Sequence, residues 1–407
     1  MKILTFDEAW MAIQSLSAPL PPEWVDVWKA TASKRRIAQN VVSAIDLPPF
    51  DRAMMDGFAI AASDLDATEP LRISGAVAAG DPDPTAIASG AAVRVRTGAM
   101  APMGAAAVVR QEWADVEGDA IRLLQRIRPG ESIQRRGEDV AAGAQLIASG
   151  HPLDGQTIAV LRAAGVMQVP VYRACRIAIL VTGNELRTGQ ESLGVGQVYA
   201  ASDAFLAASL SEVGAIVDDI VYLPDDFKSI CGEIERRIGR VDCVLLTGGA
   251  SVGDTDYALR AISSVAGEHP IAMSRVWMRP GSPLIVRRIG TTNVFAMSGN
   301  PAACFVQFHS LVLPAIRRMM GDLAAHPFPY RTTLAEPVRL KPLKHVRVHR
   351  ATANWQGGVL TAVAQAQQSS GSISGLASTN ALIRLDEDRY GAGDTVPILF
   401  TRCFGES

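Results

Sequence analysis

Between residues 173 and 320 the chain alternates unbroken apolar runs with segments of helical period, and no other feature narrows its possible folds as far. The run IAILV inside "CRIAILVTG" leaves no polar position for solvent, so it reads as a strand covered on both faces. "SDAFLAASLSEVG" follows as a helix with Ser202 as N-cap and Gly214 as stop, and "AIVDDIVYL" as the next strand. The pattern continues through a helix in "DFKSICGEIERRIG", a strand in "DCVLLTGG" and another helix. Strands near "SRVWM" and "NVFAMSG" and a long helix from Pro301 complete it. Such alternation builds a mostly parallel sheet with helices on its faces, a Rossmann-like α/β domain.

At 407 residues the chain holds more than this one domain. Residues 1 to 40 read as helical, with Phe6, Ala9, Trp10, Ile13 and Leu16 at helical spacing, until the paired prolines of "DLPPF" forbid continuation. From 45 to 142, short alternating runs such as "AVRVRTG" and "AIRLLQRI" between Gly and Pro suggest a β-rich module. A helix is expected in "DGQTIAVLRAAG". The expected partition is thus a linker and dimerisation domain of residues 1–44 plus 143–172, and an inserted β-rich domain of residues 45–142. An α/β domain of residues 173–325 and a C-terminal β-domain of residues 326–407 follow.

Several function classes are excluded early. A net charge of -2 supplies no global field for nucleic acid or an anionic membrane, so any basic site is local. The N-terminus carries Asp7 and Glu8 and no sustained apolar core, unlike a signal peptide, and no apolar run is long enough to span a membrane. Cys175, Cys231, Cys243, Cys304 and Cys403 are odd in number and lack C-x-x-C spacing, which points to free thiols in a reducing cytoplasm. The six histidines lack metal-ligand spacing.

Ligands of open parallel sheets bind beyond the carboxyl ends of the strands. Three segments end strands there: "LVTGNEL", "LLTGGASVGDTDY" and "FAMSGNPAA". Gly248, Gly249 and Gly253 allow backbone to approach an oxyanion, Ser251 adds a hydroxyl, and Asn300-Pro301 starts a helix with a capping amide. Asp254 and Asp256 in the same stretch would repel a phosphate unless a divalent cation intervened, so the acids suit Mg²⁺ and the glycines phosphate. A purely structural role stays open: tight turns need the same glycines, and Asp254 equally caps the next helix. Arg275 and Arg279 in "RVWMRPGSPLIVRR" supply positive charge for an oxyanion, or else line a solvated edge. "PPFDRAMMDGFAI" places Asp51 and Asp56 in an apolar loop, and "IQRRGEDVAAG" reads first as an exposed charged turn.

Taken in order, "PPFDRAMMDGFAI", "RTGAMAPMGAAAVVRQE", "IQRRGEDVAAG", "LVTGNEL", "LLTGGASVGDTDY", "MRPGSPL" and "SGNPAACFVQF" resemble the signatures of the molybdopterin molybdenumtransferases, the MoeA proteins and the related domain of gephyrin. The resemblance covers nearly the whole chain. It implies that molybdate is inserted into adenylylated molybdopterin with release of AMP and with Mg²⁺ as cofactor. It further implies a cytoplasmic homodimer, with Asp56, Thr97 and Asp139 of one subunit facing Glu185, Asp225 and Asp256 of the other. By the same resemblance Asp256 supports the Mg²⁺-dependent cleavage, and with Asp254 and Glu185 it is expected to hold the Mg²⁺. Ser251, Arg279, Ser282, Arg350 and Ser378 serve the oxyanion, and the Gly248-Gly249 and Ser298-Gly299-Asn300-Pro301 backbone cradles phosphates. The molybdopterin adenylyltransferase and molybdoenzyme chaperones are its implied protein partners.

The chain departs from the family pattern at three places. The usual K-P-G-K-P reads Arg279-Pro280-Gly281-Ser282-Pro283, which removes one positive charge from the oxyanion site; L-P-G-N-P begins Met297-Ser298; and Asn184 stands where an aspartate is common. These changes leave room for a weakened paralogue acting as carrier or scaffold, or for a preference for tungstate. Adenylylation of the pterin itself fits less well, because that step would not need the other domains.

Overall fold

The computed structural model describes residues 3–29, 34–82, 86–189, 192–248, 257–267 and 271–402. Its contacts separate two compact units, one of Met1–Glu23, Lys34–Ala38 and Val171–Ser407, the other of Trp24–Ser33 and Gln39–Pro170.

The larger unit is built on a seven-stranded sheet. In chain order its strands are β1 (Ile3–Leu4), β2 (Arg176–Thr182), β3 (Ile216–Leu223), β4 (Cys243–Thr247), β5 (Met273–Val276), then, after the short β6 (Met278–Arg279) of another sheet, β7 (Pro283–Ile289) and β8 (Thr292–Met297). Their spatial order is β1-β5-β7-β8-β4-β2-β3. Pairing is parallel except where β7 meets β5 and β8. Alternate residues of β2 enter opposite cores: Ile177, Ile179 and Val181 one, Ala178 and Leu180 the other. That is why its apolar run is unbroken, each fully buried aliphatic side chain contributing about 1.5–3 kcal/mol.

Helix α1 (Phe6–Leu16) begins at a capping box between Thr5 and Glu8 and buries Phe6, Ala9, Trp10 and Ile13. It stops at Ser17, short of the helix expected to residue 40, because Pro19, Pro21 and Pro22 follow. Its buried face joins the core of the α/β sheet. Residues 1–23 therefore group with the α/β domain, whereas the expected partition placed them with residues 143–172. Further helices are α2 (Ser202–Glu212), α3 (Phe227–Glu235), α4 (Tyr257–Ala266) and α5 (Pro301–Gln307), the last continuing through a π turn at Phe308–Val312 into Leu313–Met319. Ser202 is the first residue of α2 and makes no capping bond; Ala201 holds the N-cap position.

The C-terminal strands β9 (Tyr330–Leu334), β10 (Val346–Gln356), β11 (Val359–Ala364), β12 (Ala381–Leu385) and β13 (Thr395–Phe400) pair in the order β10-β11-β9-β13-β12, and β12 pairs back with β10. The sheet thus closes into a barrel, which leaves no exposed edge among these strands. The short β6 adds to it in parallel, with Met278 opposite Val346 and Arg279 opposite Arg347. "SRVWM", which reads as one strand, is therefore divided at Trp277 between two sheets.

The smaller unit carries a six-stranded sheet of Ala105–Arg110, Gly57–Ala61, Ala91–Val95, Leu71–Val77, Ala120–Leu123 and Ala114–Glu117, the β-rich module expected there. The helix in "DGQTIAVLRAAG" spans Gly155–Ala163, with Asp154 accepting from the Thr157 N–H at 2.9 Å. Cys175, Cys243 and Cys304 are buried and free, and Cys231 is partly buried. Cys403 lies outside the described residues. Among the described residues no helix is long and apolar enough to cross a membrane.

Candidate functional site

The carboxyl ends of β2, β4 and β8 open onto a cavity of about 480 Å³ lined by Thr182, Glu185, Asp225, Gly248, Ser298 and Asn300 among others. Two of these residues carry buried oxygens with no hydrogen-bond partner, Thr182 Oγ1 and Asn300 Oδ1. A buried polar atom left unpaired costs about 1–3 kcal/mol. Two at one cavity mark where a polar ligand would bind. Asn300 does take the N-cap position of α5, but its amide makes no capping bond. Instead the Asn300 N–H donates to Ser298 Oγ at 3.2 Å, and Pro301 has no N–H to be capped. Asn300, expected to cap the helix with its amide, lines the cavity without doing so.

On the acidic side, Asn184 and Asp225 bond reciprocally: the Asn184 N–H donates to Asp225 Oδ2 and the Asp225 N–H to Asn184 Oδ1, both at 3.2 Å. Asn184 therefore joins the two loops and leaves Glu185 exposed to the cavity. Glu185 and Asp225 are its carboxylates among the described residues, and no group of three metal-binding side chains is found among those residues.

A second cavity of about 500 Å³ adjoins the first at Ser298. Arg279, Ser282, Arg347 and His349 line it. Ser282, expected from the resemblance to stand in the place of a cation, donates its hydroxyl to the Val276 carbonyl at 2.9 Å. That proton is committed to the backbone. Gln307, fully buried on α5, ties the two cavities' walls together. Its Oε1 accepts from the Ser298 N–H at 2.8 Å, while Nε2 donates to Gly281 O at 2.8 Å and to Pro283 O at 2.6 Å. Burial, then Arg347 and Arg350, push the His349 imidazole down to about 4, so it is neutral near pH 7.

The remaining expected residues fall into three groups. Gly249, Ser251, Gly253, Asp254 and Asp256 lie outside the described residues. Arg275, Arg350 and Ser378 line neither cavity. Arg275 sits within β5, and Ser378 bonds to Gly375 and Gln365. Arg350 is 1% exposed and donates to the backbone carbonyls of Gln367, Ser369 and Ser372, so its guanidinium holds the 367–372 loop.

In the smaller unit, Asp56 and Thr97 come together. Asp56 accepts from the Thr97 N–H at 2.8 Å, the Thr97 hydroxyl at 2.9 Å and Arg96 at 2.7 Å. The Thr97 N–H, then Arg96 and the Thr97 hydroxyl, hold its carboxyl down at about 2. The turn read as merely charged is a network: Asp51 accepts from Arg135 and from the Arg136 N–H, and Asp46 from Arg136. Asp139 is fixed through its backbone N–H, which donates to Leu47 O at 2.9 Å.

Thr182, Gln307, Arg347 and His349 were not among the expected site residues. A lone glutamine in "AACFVQF" gives no signal. The i, i+2 spacing of Arg347 and His349 in "VRVHR" does place both on one strand face.

Comparison with known proteins agrees with this architecture. Residues 4–165 match the family described as MoeA N-terminal region (domain I and II), residues 178–318 the probable molybdopterin binding domain, and residues 332–400 the MoeA C-terminal region (domain IV). The chain is 34% identical over 411 residues to the molybdopterin molybdenumtransferase of Nostoc, covering 95% of this chain and 90% of that protein. It is 30% identical over 358 residues to molybdopterin molybdenumtransferase 2 of Mycobacterium tuberculosis, covering 86% and 87%. The crystal structure of the molybdopterin biosynthesis MoeA protein of Pyrococcus horikoshii is similar at a TM-score of 0.81 and 27% identity, covering 98% of this chain and 99% of that one. With these matches together running through nearly the whole chain, the chain belongs to the molybdopterin molybdenumtransferase, or MoeA, family.

Proposed function

We propose that this protein inserts molybdate into adenylylated molybdopterin and releases AMP. The observation that carries the reading is the pair of cavities sharing Ser298, one lined by Glu185, Asp225 and unpaired oxygens, the other by Arg279 and Arg347. In the reaction, bonds form between molybdenum and the two dithiolene sulfurs while one Mo–O bond breaks, its oxygen leaving as water with the two thiol protons; the phosphoanhydride bond breaks by addition of water, which leaves a phosphate on the pterin and releases AMP. The acidic cavity takes the pterin adenylate, where Thr182 and Asn300 gain the partners they lack. The basic one takes the oxyanion.

Mg²⁺ fits the hard carboxylate oxygens of Glu185 and, in this reading, Asp254 and Asp256; when bound it neutralises phosphate charge. Without it, Glu185 and Asp225 would repel the pyrophosphate. The protein works in the cytoplasm as a homodimer, receives its substrate from the molybdopterin adenylyltransferase and passes its product toward molybdoenzyme chaperones.

The test is AMP release from adenylylated molybdopterin with Mg²⁺, with and without molybdate. Release that depends on molybdate and is lost in Asp256→Ala, with pterin still bound, supports the reading. Adenylate that stays bound and uncleaved, with molybdate or with tungstate, would make the chain a carrier instead.

The shared cleft is tested separately by mixing inactive Asp56→Ala and Asp256→Ala chains. If each site draws Asp56 from one subunit and Asp256 from the other, randomly reassorted dimers regain about a quarter of the wild-type sites. No recovery after proven subunit exchange would place both acids in one chain's site.

A further inference from the structure

Ser282 leaves the oxyanion cavity one cation short of the family pattern, yet two arginines line the cavity. Parallel pairing of β6 with β10 sets Arg279 directly opposite Arg347, at the separation of neighbouring strands, about 4.8 Å. Both line the same cavity. Arg347 is 8% exposed and is anchored from behind, donating to the His345 carbonyl at 3.0 Å and the Lys341 carbonyl at 2.7 Å. Those two bonds use two of its five N–H donors.

Among the described residues neither arginine forms an ion pair. The charged groups that act on Arg347 are Arg279, which opposes its charge, and Asp388, which favours it. Burial, then Arg279, lower the affinity of Arg347 for its proton, the sign expected of a buried cation with a like charge close by. His345 is also kept from charging, by burial and by both arginines, and His349 is neutral. The cavity's positive charge therefore resides in two guanidinium groups. Such a pair is unfavourable when empty and is relieved by a dianion that accepts from both forks.

Resting on the reading that molybdate is the anion, we infer that Arg347 is a specificity-determining residue of this chain, the second cation of the oxyanion site, making up on the barrel wall the charge absent at Ser282.

The test uses the full chain and molybdate alone, by calorimetric titration at fixed ionic strength, together with the KM for molybdate and for the pterin adenylate in the AMP assay. Arg347→Met is expected to weaken molybdate binding about ten-fold or more, the loss of one charge-assisted contact. The KM for molybdate rises in step while that for the adenylate stays within about two-fold, and Arg347→Lys, which keeps the charge but loses the fork, binds more weakly than wild type and more tightly than Arg347→Met. Adding Ser282→Lys to Arg347→Met restores most of the affinity.

Unchanged binding in Arg347→Met, or no gain from Ser282→Lys, overturns the inference. If Arg347→Met melts early through its lost carbonyl bonds, Arg347→Lys decides: binding as weak as in the methionine variant means that the role is structural. The two readings separate cleanly. Arg347-dependent molybdate binding without AMP release sinks the insertase and leaves this site standing, whereas AMP release with Arg347-independent binding does the reverse.

Discussion

Gly248→Ala is expected to cost the α/β unit about 2–5 kcal/mol and to lower turnover about 100-fold. Gly248 follows β4 with a φ of +91°, a left-handed conformation that disfavours an L side chain by about 1–2 kcal/mol. Space adds the larger part. A Cβ there would lie 2.2 Å from the Thr182 carbonyl oxygen and 2.6 Å from Thr182 Oγ1, so the ends of β2 and β4 must separate. Overpacking of this kind adds about 1–3 kcal/mol.

The same shift moves Thr182 and the Glu185 loop, which line the acidic cavity, and a displacement near 1 Å at a reacting site costs about 100-fold. Gly290→Ala is the control. Its φ is +58°, but the nearest atom to an added Cβ is Ile238 Cγ2 at 3.7 Å, so only the backbone penalty applies and turnover is unchanged. Thermal melting and AMP release of the two variants decide the matter: equal melting points and full turnover would show that the contact with Thr182 does not hold the site.

The α/β frame is legible because its central strands bury both faces. Ile177 to Val181 send alternate side chains into two cores, so the sequence leaves them no polar position, and the strand ends "LVTG", "LLTGG" and "MSGN" follow directly. The helix from Phe6 is visible by its spacing, which does not mark its end; the prolines at 19, 21 and 22 fix that. The second cavity was only half legible. Arg279 stood out beside a Pro-Gly turn, whereas Arg347, 68 positions later, joins it only because β6 leaves the α/β sheet for the barrel and takes up register with β10. A single chain's pattern of apolar and polar residues records which face a strand buries, not which distant strand it pairs with. Arg350 is expected at the anion by resemblance alone, and three of its five N–H donors go to carbonyls of the 367–372 loop.

Gln307→Leu carries the second large expected effect, a loss of about 3 kcal/mol or more, because it keeps the volume of a buried side chain and removes all three of its hydrogen bonds. The Ser298 N–H and the carbonyls of Gly281 and Pro283 are then left without this partner. Ser298 belongs to both cavities and Gly281 to the basic one, so the link between pterin and oxyanion loosens along with the fold. The KM values for molybdate and for the adenylate should rise together, unlike in Arg347→Met, where only the first rises.

Gln307→Glu separates hydrogen bonding from packing. A carboxylate can still accept from Ser298 but would face two carbonyl oxygens in a fully buried place, so the folded state favours the protonated acid and raises its pKa above the unfolded value. A group raised in this way costs nothing below its unfolded pKa, about 4.3, and destabilises increasingly as pH climbs toward the folded one. Measured against wild type at each pH, Gln307→Glu should therefore melt closest to it near pH 5 and fall away toward pH 8, while the deficit of Gln307→Leu stays constant. Parallel deficits for both variants across that range would mean that Gln307 fills space beneath the two loops without holding them.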